Sequence, residues 1–160
     1  MPTLSEVKPD APGANEAIER VNEMYREGFQ RVRETYRLNE AAVDRLGSYW
    51  EDYSVVACFA DWCGDARRAI PVLALIEEKT GKKIPTLGGM TKPPPGSSEF
   101  WAVPPSPAEV KTFEVTSSPT ILVFSREGHE IGRIKTRPRM MPTMEEEILK
   151  IIEDHESQAD

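Results

Sequence analysis

The sequence predicts an α/β layer fold, a mixed central sheet flanked by helices, on three observations. Residues 55–60 are an unbroken apolar run rich in strand formers, too short for a comfortable helix and suited to a central strand covered on both faces. Directly after it the period changes, with Ala66, Ala69, Ile70, Leu73 and Ile76 recurring at helical spacing. Further on, Thr120–Phe124 and Glu130–Lys135 flank a Ser125-Arg126-Glu127-Gly128 turn, where glycine makes positive φ cheap, the pattern of an antiparallel hairpin.

Taken in order, residues 1–13 are polar and punctuated by proline and glycine, which predicts a flexible tail. Residues 14–53 read as an N-terminal helical extension. A long helix is expected over 14–38, with Ile18, Val21, Met24 or Tyr25, Phe29, Val32 and Tyr36 on one stripe and Gly28 weakening or dividing it. Asn39 is the N-cap of a second helix over 40–49, with Ala42, Val43 and Leu46 inward. The extension either packs on the domain or serves as a dimerisation or docking arm. The main domain then covers 54–157.

Its first helix should end at Gly81, a good residue for the left-handed C-terminal cap, and should be kinked by Pro71. A short strand is expected at 83–87. Residues 88–107 carry Pro93, Pro94, Pro95, Pro104, Pro105 and Pro107, too many for regular structure, and a loop of that length in a compact domain is usually functional or disordered. Phe100 and Trp101 inside it either pack back on the core or face a partner. A short helix follows at 108–113, and Thr143 with Glu146 forms a capping box for the last helix, whose stripe is Met144, Ile148, Ile151 and Ile152.

Composition narrows the function. With 160 residues and 39% hydrophobic composition, the chain has room for one globular core. A net charge of −7 argues against nucleic acid or an anionic membrane as partner. No apolar stretch approaches a membrane span, and residues 1–15 lack the apolar centre of a secretory signal. Two cysteines are too few for a disulfide framework, so the expected compartment is a reducing cytoplasm. His129 and His155 are expected at the surface, and no spacing of ligand residues points to a metal.

The chemistry concentrates at Cys63. It falls where strand gives way to helix, so its sulfur is expected among the unpaired N–H groups of a helix N-terminus, which favour a thiolate. Trp62 and Gly64 mark a turn at a strand's carboxyl end, where α/β proteins place ligands. Arg67 and Arg68 oppose the helix dipole there. Either they answer an anion, the thiolate or a carboxylate of a bound thiol, or they point to solvent or pair with Asp65 or Glu51. Asp65 works against a thiolate. Cys58, five residues upstream in an extended strand, lies too far away to bridge and is expected to be an inert core thiol.

The residues Ala60-Asp61-Trp62-Cys63-Gly64-Asp65-Ala66 resemble the active-site turn of the thioredoxin superfamily, which carries Trp-Cys-Gly-X-Cys there and a proline eight residues after the first cysteine, where Pro71 stands. Ser118-Pro119-Thr120 before an apolar strand resembles the family's cis-proline loop. The resemblance implies a thioredoxin-like three-layer fold with Cys63 as the nucleophile. It also implies that the residue before the cis-proline, Ser118, offers its backbone to an extended substrate, so Trp62, Gly64, Ser118 and Pro119 are the expected substrate-binding residues. Asp65 and Arg67 are expected from their charges to tune the thiolate. The Ser118 hydroxyl either donates to that thiolate or caps a turn.

Two departures stand out. Ala66 occupies the place of the resolving cysteine, and Ala57 that of a buried aspartate. A dithiol shuttle needs its second thiol to release substrate. The expected activity is therefore a monothiol thiol–disulfide exchange, without cofactor, on protein disulfides or low-molecular-weight thiols, with an external thiol as resolving agent. The alternatives are a redox-inactive binding module and a dithiol protein whose resolving cysteine was replaced at Ala66.

Overall fold

The computed structural model describes residues 1–92, 94–96, 101 and 103–158. Four strands form one sheet in the order β2-β1-β3-β4: β1 (Ser54–Cys58), β2 (Thr86–Leu87), β3 (Thr120–Phe124) and β4 (Glu130–Lys135). Strand β1 runs parallel to β2 and antiparallel to β3, and β3 pairs antiparallel with β4. The expected hairpin is present, with Gly128 at φ 86° and its N–H donated to the Ser125 carbonyl at 2.9 Å.

The unbroken apolar run of β1 follows from burial on both faces. Val55, Ala57, Phe59, Ile121 and Val123 join a large cluster with the helices, whereas Val56, Cys58, Ala60, Leu122 and Phe124 join a second cluster on the opposite face. The larger side holds α1 (Ala14–Arg20), α2 (Glu23–Thr35), α3 (Glu40–Tyr49), α4 (Gly64–Thr80) and α6 (Met144–Gln158). Among the described residues, the other side carries α5 (Ala108–Thr112) and loop segments, closed by Phe113 edge-on against Phe124 at 5.6 Å.

That thin side explains why residues 1–13, expected as a flexible tail, pack against the sheet instead. Val7 and Ala11 are buried in the second cluster, and the Thr86 N–H bonds the Pro12 carbonyl at 2.7 Å. The long helix expected over 14–38 also differs. It breaks at Val21-Asn22, where Asn22 caps α2 by accepting from the Met24 N–H at 3.0 Å. Gly28 does not divide α2. Its missing side chain leaves room for the Arg67 stem, since a Cβ there would lie 2.6 Å from Arg67 Cδ. Of the strand expected at 83–87, Thr86–Leu87 forms β2, and Pro85 makes an isolated bridge to Gly13.

Helix α4 runs unbroken through Pro71 and ends on Gly81 at φ 75°. Thr143 caps α6 as expected, its hydroxyl accepting from the Glu146 N–H at 3.2 Å. Three carboxylates pin the irregular segments by accepting backbone N–H groups. Glu77 takes Ala14, Asn15 and Ile84; buried Glu145 takes Asn39 and the Tyr36 hydroxyl; buried Glu147 takes Met140, Met141 and, at 3.2 Å, Arg139. Burial and then the Glu145 hydrogen bond raise the Tyr36 hydroxyl above its ordinary range. Replacing Glu77 by Ala orphans donors at the start of α1 and beside β2, which should cost about 2 kcal/mol. Urea unfolding of Glu77→Ala should show that loss, and Glu77→Gln should recover part of it.

Candidate functional site

The register of β1 on β3 builds the site. Because Cys58 pairs with Thr120, the turn leaving β1 meets the turn entering β3. The Ala60 N–H donates to the Ser118 hydroxyl at 2.8 Å, so that hydroxyl braces the turn. The Cys63 thiol donates to the Ser118 carbonyl oxygen at 3.3 Å. The Ser118–Pro119 peptide bond is cis, and Ser118 is buried.

Cys63 is the N-cap residue of α4, half-buried, with its carbonyl accepting the Arg67 N–H at 3.1 Å. The structure thus brings Trp62, Cys63, Gly64, Ser118 and Pro119 to one place, at the carboxyl end of β1. Trp62 is 47% exposed and stacks on Trp101, with ring centroids 5.8 Å apart. Trp101 also packs against the second apolar cluster, the first of the two placements expected for it. Phe100 lies outside the described residues.

Ala66 is fully buried beneath the first turn of α4. Asp65 accepts from Arg68 at 3.0 Å and from Arg137 at 3.4 Å. Arg67 lays its stem over Gly28 of α2 and does not pair with Asp65. Two groups at the site escaped the sequence reading. Asp61 accepts from the Asn22 N–H at 3.0 Å and the Gly89 N–H at 3.3 Å, tying α2 and the Gly88-Gly89 loop to the turn. Arg137 reaches Asp65 from the segment after β4. Only the alternation Lys135-Thr136-Arg137-Pro138-Arg139 signals it in sequence.

Cys58 is fully buried, and burial foremost, then Glu109, pushes its thiol up to about 12. Both cysteines are free. His129 is exposed, but His155 is half-buried, its Nδ1 2.9 Å from the Tyr53 hydroxyl, because α6 packs there against the end of α3. Among the described residues no three His, Cys, Asp or Glu side chains gather in a metal-ligating cluster, and no helix is long and apolar enough to cross a membrane.

This arrangement, a half-buried thiol at a helix start beside a cis-proline turn on a four-stranded mixed sheet, is that of the thioredoxin-like fold. A family profile described as Thioredoxin matches residues 11–86, which include β1, the Cys63 turn and α4. Over those residues the chain is similar to the thioredoxin family, and its fold is thioredoxin-like. It is similar to the 1.5 Å crystal structure of a protein of unknown function from Pseudomonas aeruginosa, at 16% identity and a TM-score of 0.70, over 97% of this chain and 99% of that one. It is also similar to an HIV epitope-scaffold crystal structure, at 15% identity and a TM-score of 0.68, over 96% and 99% of the two chains. No curated protein matches the sequence. At these identities the likeness concerns fold.

Two outcomes follow from the cysteine environments. Iodoacetamide at pH 8 should label the native protein once, at Cys63, since buried Cys58 keeps its proton; peptide mass spectrometry reads the site. Cys58 holds its proton to about 12 when folded, against an ordinary 9.0, so the unfolded chain loses it first. Unfolding then releases a proton, and stability should fall as pH rises from about 9 toward 12, as urea midpoints across that range would show.

Proposed function

We propose that this protein is a monothiol thiol–disulfide exchange protein. Cys63 attacks a disulfide and forms a mixed disulfide, which an external thiol then resolves. The single observation that carries this reading is the contact of the half-buried Cys63 thiol with the Ser118 carbonyl beside cis-Pro119, while the position one helical turn on is the buried Ala66. Trp62, Gly64, Ser118 and Pro119 frame the approach to the sulfur. Arg67, which lies over α2, and Asp65, which holds two arginines, supply the charge around it.

Two properties of the site support exchange without a cofactor. The reaction needs only an accessible sulfur nucleophile and a displaced thiolate. Nothing on the chain can attack the mixed disulfide from within, because Ala66 has no sulfur and Cys58 is sealed in the opposite cluster. The expected compartment is a reducing cytoplasm, whose small thiols would serve as resolving agents. Protein disulfides and low-molecular-weight disulfides both remain substrates of this reading.

A second reading has its own observation. The exposed Trp62 stacked on Trp101 forms an aromatic surface beside the cis-proline turn, fit for a redox-inactive docking module. Incubation with hydroxyethyl disulfide separates the two. The exchange reading expects one mixed disulfide on Cys63 by mass spectrometry, released by added thiol and absent in Cys63→Ser. A chain that forms no adduct, yet binds a partner equally well as Cys63→Ser, favours the docking module. Installing Ala66→Cys should make release independent of added thiol, with an internal disulfide as product.

A further inference from the structure

Beside the Cys63 turn, the first turns of α4 and the segment between β4 and α6 enclose a cleft of about 410 Å³. That volume falls in the range of small-molecule sites rather than of flat protein-docking surfaces. Its floor is apolar, from Ala69, Val72 and Met144. Its mouth carries Arg68 from α4 and Arg137 from the chain after β4, with Thr136 and Thr143 between them. The Thr136 N–H bonds the Pro119 carbonyl at 2.8 Å, and the neighbouring Ser118 carbonyl takes the Cys63 thiol. Cys63 itself does not line the cleft; Asp65, two residues further on, and Thr136, bonded to Pro119, join its wall to the turn that holds the sulfur.

Charge at this mouth runs against the rest of the molecule. In a chain of net charge −7, Arg67, Arg68, Lys135, Arg137 and Arg139 lie on the two segments that flank the cis-proline turn, all of them exposed, and of these Arg68 and Arg137 line the cleft itself. Asp65, the carboxylate between them, is only 25% exposed. It accepts one N–H from Arg68 and one from Arg137, whose side chains are 73% and 69% exposed. A guanidinium has five N–H donors in a planar fork. Asp65 thus fixes the spacing of the pair and leaves most of their donors to a ligand.

The acidic first turn of α6 keeps its negative charge, but its carboxylates are turned to the chain and do not occupy the donors of Arg68 and Arg137. Glu145 holds Tyr36 and Asn39, Glu146 accepts from the Thr143 hydroxyl, and Glu147 holds the backbone at 139–141. Resting on the exchange reading above, we propose that this cleft binds the carboxylate of a small, acidic thiol, so that the substrate class is a low-molecular-weight disulfide of such a thiol, or its mixed disulfide with a protein. The carboxylate lies in the fork of Arg68 and Arg137, which places the attached sulfur at Cys63. Paired N–H donors from arginine give such a contact both strength and direction.

The exchange balances in two steps. The Cys63 thiolate, its proton lost to solvent, attacks the sulfur of the bound acidic half of R–S–S–R′; a Cys63–S–S–R bond forms and R′ leaves as a thiolate. A second acidic thiolate attacks R's sulfur, the electron pair returns to Cys63, and RSSR departs. Where R′ is a protein, the sum restores the protein thiol and joins two small thiols as RSSR; where R′ is R the second step reverses the first, an exchange without net reduction that is read by the adduct alone.

The test compares glutathione disulfide, which is anionic, with uncharged hydroxyethyl disulfide, using the full chain. The readout is the ratio of the two rates of adduct formation on Cys63, in native protein and in the Arg68→Gln/Arg137→Gln double variant. A ratio that falls about tenfold in the variant, and falls in the native protein with added salt, is the expected result. An unchanged ratio overturns the cleft assignment. So does a dependence on the two arginines seen only with an acidic disulfide peptide, which makes the partner a protein. Binding of the unreactive S-methylglutathione to Cys63→Ser, weakened by Arg137→Gln, decides the cleft separately. If it binds while neither disulfide reacts with the native chain, the exchange reading fails and the acidic-ligand site stands.

Discussion

Antiparallel pairing of β1 with β3, in the register that sets Cys58 opposite Thr120, is the constraint on which the site depends. Beyond that last pair both chains turn, and the same register makes the turns meet: Ala60 reaches the Ser118 hydroxyl and Cys63 the Ser118 carbonyl. A slip of β3 by one residue would turn its side chains to the opposite face. It would bring Leu122 into the helical cluster in place of Ile121 and Val123, and would part the sulfur from the proline turn. Core packing and the placing of the thiol are thus one requirement.

Much of this was legible in sequence because it rests on local patterns. The apolar run of β1, the helical period after Cys63, Gly81 at the end of α4 and the Thr143–Glu146 cap are all fixed by neighbours within four residues, and all appear where expected. What escaped is long-range. Nothing near Val7 or Ala11 says that the sheet's second face lacks long helices and needs their cover. Glu77 reads as one more charged residue at a helix end, yet it anchors α1 from 62 and 63 positions away in the chain. The break at Asn22 likewise answers to a distant partner, since its N–H is held by Asp61.

The electrostatics of the site were half legible for the same reason. Arg67 and Arg68 beside Asp65 read as a pair of cations opposing a helix dipole, with their partners open. The fold separates them. Arg67 folds its stem into the gap at Gly28, where packing against α2 decides its position, while Arg68 turns to Asp65 and is joined there by Arg137. The two adjacent arginines have unlike duties, one steric and one electrostatic, and only the meeting of α2, α4 and the chain after β4 reveals it.

The buried Ala66 ties these features together. In a dithiol site the second sulfur sits within the fold, and the protein needs to recognise only the substrate it attacks. Here the position that would hold that sulfur is a methyl group packed in the helical cluster, so any thiol that frees Cys63 has to arrive from solvent. A protein that depends on a diffusing thiol gains from holding it, because an oriented reactant removes much of the entropic barrier of a bimolecular step. Diffusing thiols that carry carboxylates are drawn to cations, and cations gathered beside the sulfur of an otherwise acidic protein raise their local concentration there. On the exchange reading proposed above, the alanine at position 66 and the charge at the cleft mouth are complementary, recognition of the resolving agent standing in for its covalent attachment.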